Sequence, residues 1–242
     1  MSTLSVIQKT YRPEIAAVKK AAERISKVAV KTPLTPSFTY SKKYDANILF
    51  KREDLQQVRS YKIRGAYNKI SSLDKEQLER GVIYMPSTTP KQKVEQTRMF
   101  GGEWVDVVLK GDTYDDSFKS ALKHCEKKGL VFIHPFDDEK VIEGQATIAL
   151  EILEQAETPI DYVFAPLGGG GLLAGLSSVF KQLSPKTKII GVEPEGAASM
   201  TSSLKEGKVV ELKDIERFVD GAAVQKVGAR NFEICKENLD EM

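Results

Sequence analysis

The apolar and polar positions of this 242-residue chain alternate between helical and strand-like patterns. Apolar residues at the spacing of an amphipathic helix predict helices over 13–25, 64–70, 74–80, 90–100, 114–128, 142–155 and 172–180. Short apolar runs rich in β-branched residues predict strands over 46–51, 82–85, 104–109, 130–133, 161–167 and 188–193. Because helices and strands alternate, the pattern is typical of α/β proteins with helices packed on parallel sheets, and we expect two such sheets.

Composition limits the possible functions. The chain is 41% hydrophobic and 29% charged, which is ordinary for a soluble globular protein. Its 36 basic and 34 acidic residues give a formal net charge of +2 and therefore no electrostatic argument for nucleic acid or an acidic membrane. Cys125 and Cys235 are far apart and lack metal-ligand spacing, so neither a disulfide framework nor a zinc site is predicted. The start of the chain lacks the apolar core of a signal peptide, and we expect a cytoplasmic protein without membrane spans.

Four consecutive glycines at positions 168–171 are the first candidate for chemistry. They stand between the predicted strand 161–167 and the predicted helix 172–180. This arrangement exposes consecutive backbone N–H groups at the positive end of a helix, and such a nest binds phosphate. A flexible turn is the alternative, but with no polar spacer on either side we favour a phosphate-binding loop.

The glycine spacing leaves the type of phosphate ligand open. No Gly-Lys-Ser/Thr triplet follows, which argues against a nucleoside-triphosphate loop. Gly169, Gly171 and Ala174 do satisfy the G-x-G-x-x-A fingerprint of dinucleotide sites. Glu193 ends the next predicted strand at about the right distance to bind a ribose hydroxyl. A dinucleotide site therefore remains an alternative.

Lys62 is the second candidate. A lysine does covalent chemistry only as the neutral amine, so its neighbours must lower its pKa. Arg59 and Arg64 flank Lys62, and two nearby cations favour its deprotonation. Taken alone, the run is equally compatible with a basic helix start on the surface, because most lysines are solvated surface charges.

The order of several motifs carries a family resemblance. The motifs occupy positions 60–66 (SYKIRGA), 134–138 (HPFDD), 143–145 (EGQ), 168–172 (GGGGL) and 191–194 (GVEP). In this order they resemble the threonine dehydratase family of pyridoxal-phosphate enzymes, whose fold type II also includes tryptophan synthase β and serine racemase. The run KRED at 51–54 resembles the biosynthetic branch in particular. The resemblance covers essentially the whole chain.

This resemblance implies a fold, a cofactor and a set of site residues. The implied fold is α/β, with two open, mostly parallel sheets and flanking helices, and the implied cofactor is pyridoxal 5'-phosphate. Lys62 matches the lysine that holds the cofactor and removes the substrate α-proton, and Gly221 matches a loop that lines the cofactor ring. The implied cofactor-binding residues are Lys62, Gly168, Gly169, Gly170, Gly171, Leu172 and Gly221.

Glu193 also matches a glutamate that serine-racemase-like relatives use to hold a divalent cation. Those relatives place an aspartate shortly after it, whereas the sixth residue after Glu193 is Ser199. A carboxylate in solvent at a strand end is at least as good an interpretation. We therefore predict no metal site.

The chain departs from the family pattern at two places. The family's Ser-x-Gly-Asn-His motif grips the substrate carboxylate and contacts the cofactor ring, but here the sequence passes from Arg80 through Gly81 directly into the strand at Val82. The segment that faces the pyridine nitrogen would follow Met242. We therefore expect the fold to lack one strand-helix unit and the C-terminal part, and the chain not to turn over normally. We expect the ordered part of a longer enzyme rather than a deleted form, since a deletion would expose sheet edges and apolar faces.

The predicted domains are a discontinuous cofactor domain, 1–56 with 139–242, and a small mobile domain, 57–138, that is incomplete between Arg80 and Val82. The implied reaction is the dehydration and deamination of L-threonine to 2-oxobutanoate and ammonia, the first step towards isoleucine, with L-serine as a second candidate substrate. A homodimer or homotetramer is the implied assembly. Two alternatives stay open: a serine racemase or β-replacement enzyme of the same fold, and a non-catalytic phosphate- or dinucleotide-binding module.

Overall fold

The computed structural model describes residues 11–78, 81–219 and 221–242. Its α-helices in these ranges are α1 (Ile15–Ile25), α2 (Phe38–Tyr44), α3 (Lys62–Ile70), α4 (Lys91–Gly101), α5 (Tyr114–Lys128), α6 (Glu139–Gln155), α7 (Gly171–Leu183), α8 (Ser199–Glu206) and α9 (Ala229–Asn238). Among them, none has the length and apolarity needed to cross a membrane.

Six strands in the described ranges form three two-stranded sheets. The strands are β1 (Leu34–Pro36), β2 (Leu49–Lys51), β3 (Gly81–Met85), β4 (Val105–Leu109), β5 (Tyr162–Pro166) and β6 (Lys188–Val192). Strands β3 and β4 pair in parallel, as do β5 and β6, whereas β1 and β2 are antiparallel. The predicted α/β fold with two open parallel sheets is confirmed, and the short antiparallel pair is an addition to it.

The chain forms two compact units. The larger unit consists of Met1–Ser71 and His134–Met242, as far as these ranges are described, and the smaller unit is Ser72–Ile133. Lys62 therefore lies in the larger unit. The predicted small mobile domain at 57–138 stays a prediction.

Helix α6 is the centre of the larger unit. It packs against α1, α3 and α7, and its first turn is capped by Asp138, whose carboxylate accepts from the amides of Lys140 and Val141. Glycines let the backbones approach closely, because a Cβ on Gly144 would lie 2.6 Å from the Arg64 carbonyl oxygen and one on Gly175 would lie 2.8 Å from the Ala146 amide. The crossings fix α3 and α7, which carry the candidate lysine and glycine loop, against the same helix.

In the smaller unit, α4 packs on β4 and α5 packs on β3. Helix α5 begins with a capping box, in which the Thr113 hydroxyl and the Asp116 carboxylate bind each other's backbone amides. It ends at Gly129, which has a left-handed φ of 67°. These local signals explain why the predicted bounds of this helix, 114–128, agree with the structure.

Two predicted elements differ from the structure. Residues 74–78 are not helical as predicted over 74–80, since 75–78 form turns, and the rest of that prediction lies outside the described residues. The turn is closed locally, because the side chains of Asp74 and Gln77 bind each other's backbone amides. The strand predicted over 130–133 is also wrong: this segment has no regular structure, and Leu130 and Val131 are about 40% exposed.

Candidate active site

The four glycines form a tight turn between β5 and α7. Leu167 donates its amide to the Val192 carbonyl, 2.8 Å away, which pins the start of the turn to β6. Gly170 has a φ of 91°, a left-handed conformation that favours glycine, and its carbonyl accepts the Ala174 amide at 2.9 Å as α7 begins. The predicted strand-glycine-helix arrangement is therefore present.

The backbone amides of this turn have the pattern of an anion site. Within the described residues, the N–H groups from position 168 to position 173 donate to no protein acceptor, and positions 169–173 are buried. Helix geometry leaves the first N–H groups of α7 without intrahelical acceptors, and buried N–H groups without partners are rare in native proteins. A phosphate group placed at this helix start would satisfy them.

The walls around the glycine turn leave no space for side chains. A Cβ on Gly169 would lie 2.3 Å from the Phe136 ring, and one on Gly171 would lie 2.8 Å from the Phe136 carbonyl oxygen. A Cβ on Gly168 would lie 2.9 Å from the Ala222 carbonyl oxygen. The loop is thus shaped so that backbone, not side chains, faces a ligand, and the residues present fit a phosphate group.

Lys62 and Gly221 lie together beside this loop. Lys62 is the first residue of α3 and is exposed, and its Nζ donates to the Gly221 carbonyl over 3.2 Å. The next residue, Ala222, is the one that packs against Gly168. The structure therefore brings the predicted lysine, the predicted ring-lining glycine and the predicted phosphate loop to one place in the larger unit.

A buried charge network lies under the start of α3. The guanidinium of Arg64, which is 1% exposed, makes two hydrogen bonds of 2.8 Å to Glu53 and two of 2.6 and 2.9 Å to Glu151. It also donates to the Thr147 hydroxyl and the Val30 carbonyl, at 3.1 Å each. Such paired geometry suits a planar guanidinium. The network therefore fixes α3 at Arg64, two residues after Lys62.

Lys51 completes the network. Its Nζ donates to Glu151 at 2.5 Å, to Gln155 at 2.8 Å and to the Thr32 carbonyl at 2.6 Å. Burial lowers the pKa of Lys51, and the contact with Glu151 opposes this shift. Two cations and two carboxylates therefore balance inside the fold, where an unpaired charge would be strongly destabilising.

This network changes the interpretation of Arg64. The sequence suggests that its charge lowers the pKa of Lys62, but its guanidinium is directed to Glu53 and Glu151, which compensate that charge. Burial opposes the charged form of Arg64, and the hydrogen bonds to the two glutamates outweigh burial and raise its pKa. Arg59 is exposed, with a left-handed φ of 58°. A lowered pKa of Lys62 stays a prediction.

Glu193 is a cap of helix α8. Its carboxylate accepts the amides of Met200 and Thr201, at 2.8 and 2.9 Å, and the Thr201 hydroxyl at 2.9 Å. Burial raises its pKa, and these hydrogen bonds oppose the shift. In the part of the chain that is described, no three His, Cys, Asp or Glu side chains are arranged to hold a metal ion.

Three residues that contact the glycine loop or its supports were not singled out individually by sequence. Phe136 and Asp137 lie in the HPFDD motif, which contributes only to the family resemblance. Asn231 carries no sequence signal at all, because its importance comes from the position of α9 beside the loop. Its amide donates to the Gly169 carbonyl at 2.8 Å and to the Phe136 carbonyl at 3.0 Å.

Comparison with known families and curated proteins gives consistent matches. The family model described as pyridoxal-phosphate dependent enzyme matches residues 25–83 and 77–242. The biosynthetic L-threonine dehydratase of Halalkalibacterium halodurans is 46% identical over 246 residues, which cover 92% of this chain and 59% of the relative. That of Bacillus subtilis is 44% identical over 253 residues, which cover 95% and 60%. The chain thus spans about 60% of the length of these relatives.

Solved structures match over nearly the whole chain. The processed form of threonine deaminase isoform 2 from Solanum lycopersicum has a TM-score of 0.85 at 42% identity, covering 97% of this chain and 72% of that one. The T.th. threonine deaminase has a TM-score of 0.85 at 33% identity, covering 94% and 80%. Maize serine racemase has a TM-score of 0.87 at 27% identity, covering 96% and 76%.

The matches also locate an internal difference. The alignment with the Bacillus subtilis protein runs over 253 residues, more than the 242 of this chain, so the relative carries internal residues that this chain lacks. The two matched segments of the family model meet at residues 77–83. This is where the strand-helix unit with the Ser-x-Gly-Asn-His motif was expected.

Proposed function

The chain belongs to the family of pyridoxal-phosphate dependent enzymes, and from that premise we propose that it is the cofactor-binding part of a threonine ammonia-lyase. The proposed reaction converts L-threonine to 2-oxobutanoate and ammonia, the first step towards isoleucine, and L-serine is the second substrate to test. The observation that carries the proposal is the convergence of Lys62, Gly221 and the amides of positions 168–173 in one unit of the chain.

Each part of this site has a separate task. The amides from position 168 to position 173 bind the cofactor phosphate at the start of α7. Lys62 holds the cofactor through its amine and, once released, removes the α-proton of the substrate. Gly221 positions the Lys62 amine through its carbonyl, 3.2 Å away. When bound, pyridoxal phosphate supplies an electron sink for the α-carbon.

The choice of threonine rests on the curated relatives. The two bacterial relatives described above, each of which matches more than nine tenths of this chain, are named biosynthetic L-threonine dehydratases. The two threonine deaminase structures share 42% and 33% identity with the chain, against 32% and 27% for the serine racemases of Dictyostelium discoideum and maize. Racemase or β-replacement activity in the same fold is the second candidate, because the chain has no Ser-x-Gly-Asn-His motif, the family's unit that grips the substrate.

The first experiment tests the cofactor. Purified protein mixed with pyridoxal phosphate should absorb visible light, and borohydride should fix the cofactor mass on the peptide that contains Lys62. Lys62→Ala should lose the fixed mass. Lys20→Ala removes an exposed lysine of α1 and is the matched control, so it should keep the label. A protein that stays colourless with the cofactor and binds NAD instead would support the dinucleotide module and overturn the proposal.

The second experiment tests the reaction. We expect this chain to bind the cofactor but to form 2-oxobutanoate from threonine slowly, because the substrate-gripping motif is missing. Inserting the corresponding segment of the Bacillus subtilis relative between Arg80 and Val82 should increase the rate. If the chimera binds the cofactor and racemises serine without forming 2-oxo acid, the racemase alternative is correct.

The remaining parts of the proposal concern the whole protein. We propose a homodimer or homotetramer in the cytoplasm, with 57–138 as a small domain that moves when substrate binds. Sedimentation of the complete enzyme would measure the assembly. Hydrogen exchange with and without substrate would test the movement, which should change protection mainly within 57–138.

A further inference from the structure

Asn231, at the start of α9, supports the glycine loop from behind. It is fully buried, and its Nδ2 donates to the carbonyls of Gly169 and Phe136 at 2.8 and 3.0 Å. Its Oδ1 has no hydrogen-bond partner within the described residues. The amide of Asn231 therefore donates two hydrogen bonds and accepts none from the described residues. The flipped orientation would place Oδ1 against two carbonyl oxygens, which cannot donate.

The hydrogen bond to Gly169 sets the direction of the neighbouring amide. In a planar trans peptide, the carbonyl of one residue and the N–H of the next point in opposite directions. The Gly169 carbonyl is held by Asn231 and also by the Gly228 amide at 3.1 Å. The Gly170 N–H must therefore point away from Asn231 and Gly228, on the opposite side of the peptide plane.

Asn231 is itself fixed by Asp137. The carboxylate of Asp137 accepts the backbone amides of Ala229, Arg230 and Asn231 at 3.0 to 3.3 Å, so it caps α9. A Cβ on Gly170 would lie 2.9 Å from the Cβ of Asn231, which places this side chain directly against the loop. The support for the loop thus consists of a capped helix and one amide side chain.

We propose that Asn231 is a positioning residue for phosphate binding, which keeps the Gly169–Gly170 peptide in the orientation that directs its N–H at the cofactor phosphate. This inference rests on the proposed function. It goes further by assigning part of the affinity for the phosphate group to a side chain that does not contact the ligand. A purely structural role for Asn231 would affect stability and all ligands alike.

The test compares pyridoxal phosphate with pyridoxal, which has the same aldehyde and ring but no phosphate. Dissociation constants of both are measured by absorbance titration for the wild type, Asn231→Leu and Asn231→Asp. Both variants keep a side chain branched at Cγ, and neither leucine nor an aspartate carboxylate can donate the two hydrogen bonds. We expect the dissociation constant of pyridoxal phosphate to rise about tenfold or more, as is typical when a buried acceptor loses its donor. That of pyridoxal should be unchanged, and inorganic phosphate should compete less well in the variants.

Asn68→Asp is the matched control. Asn68 is also fully buried and also donates to a backbone carbonyl of a neighbouring element, that of Lys140 at 2.7 Å. It lies in α3 and does not contact the glycine loop. Its Oδ1 accepts from Arg24, so an aspartate would gain an ion pair there while losing the hydrogen bond to Lys140. The ratio of the two dissociation constants should therefore stay unchanged, whatever the net change in stability. Thermal unfolding of each protein without cofactor measures the loss of stability separately.

The outcomes are distinct. A selective loss of affinity for pyridoxal phosphate in both Asn231 variants supports the inference. An equal loss for both ligands, or no loss for either, overturns it while leaving the proposed function intact. A wild-type protein that binds neither compound would overturn the proposed function and this inference together.

Discussion

The two halves of the proposed cofactor site are supported in opposite ways. Beneath Lys62, the support is ionic: Arg64 and Lys51 are balanced by Glu53 and Glu151 in the interior. Behind the glycine loop, the direct support is neutral and consists of backbone amides and the side chain of Asn231. One half fixes a helix through charge pairs, and the other fixes individual peptide planes.

The difference follows from what each half must present. Lys62 must present an amine at a helix start, so charges can be used freely below it provided that they compensate one another. The loop must present unpaired N–H groups to a ligand that carries about two negative charges, and a carboxylate in contact with those groups would occupy them. The nearby carboxylate of Asp137 is bound instead to the amides that start α9.

The largest expected effect is the loss of the ionic support. Arg64→Met should destabilise the protein by about 3–5 kcal/mol, because Glu53 would lose its cationic partner and Glu151 would keep only Lys51. Urea unfolding measures the change. Arg52→Met is the matched control: Arg52 also makes a double hydrogen bond with a carboxylate, that of Asp54, but on the surface. Equal destabilisation by both variants would contradict a special role for the buried ionic support.

The next effect concerns the neutral support. Gly169→Ala would push a methyl group into the Phe136 ring and should destabilise the protein by about 1–3 kcal/mol, while also weakening pyridoxal-phosphate binding. Unfolding and absorbance titration measure the two effects. Gly81→Ala is the control, because its Cβ would make only an ordinary contact of 3.6 Å with Val105. Normal cofactor affinity in Gly169→Ala would show that the close contact between position 169 and the Phe136 ring is not needed for cofactor binding.

The neutral support should also be sensitive to acid through His134. Its Nδ1 accepts the amides of Phe136 and Asp137, at 3.3 and 2.9 Å, so it must stay unprotonated there. Burial lowers the pKa of His134 below 6.5, and the positive charge of Arg230 lowers it further. The negative charges of Asp137 and Asp138 oppose this shift. The stabilising contribution is therefore complete above about pH 6.5, the unfolded-state pKa, and is lost as pH falls through the lower folded-state pKa.

The measurement is urea unfolding between pH 5 and pH 7. His134→Asn keeps a hydrogen-bond acceptor but does not titrate, so the variant should lose less stability than the wild type over this interval. Parallel stability curves for the two proteins would contradict the assignment to His134.

The smallest effect on stability is expected from Lys62, the proposed attachment point of the cofactor. Lys62 is exposed, so Lys62→Ala should change the free energy of unfolding by less than about 0.5 kcal/mol while abolishing fixation of the cofactor. Urea unfolding without cofactor and mass spectrometry after borohydride give the two values. A large loss of stability would mean that Lys62 is part of the ionic support formed by Arg64, Lys51 and the two glutamates.

The two units also differ in how completely they bury apolar residues. The larger unit contains fully buried side chains such as Ile142, Leu173 and Phe180. Among the described residues of the smaller unit, only Val94 and Ser117 are buried. A two-stranded sheet with two helices leaves much apolar surface uncovered, as is expected where a strand-helix unit of the family is missing.

Much of the fold and of the site could be predicted from sequence because the signals were local. The capping box and Gly129 define α5, and the four glycines between a strand and a helix define the turn that is the candidate phosphate loop. The motif around Lys62 identified the candidate lysine only through the resemblance, since its flanking arginines alone did not distinguish it from a surface lysine.

Sequence by itself determined the α/β alternation, the glycine turn and, through the order of its motifs, the family. These follow from periodicity and backbone conformation, which depend on neighbours along the chain. Only the tertiary structure decided that Arg64 binds Glu53 and Glu151, and that residues 130–133 are not a strand. It alone placed Asn231 behind Gly169, 62 positions away in sequence. Charge compensation and peptide orientation depend on which distant groups meet in the interior, and no local pattern encodes those meetings.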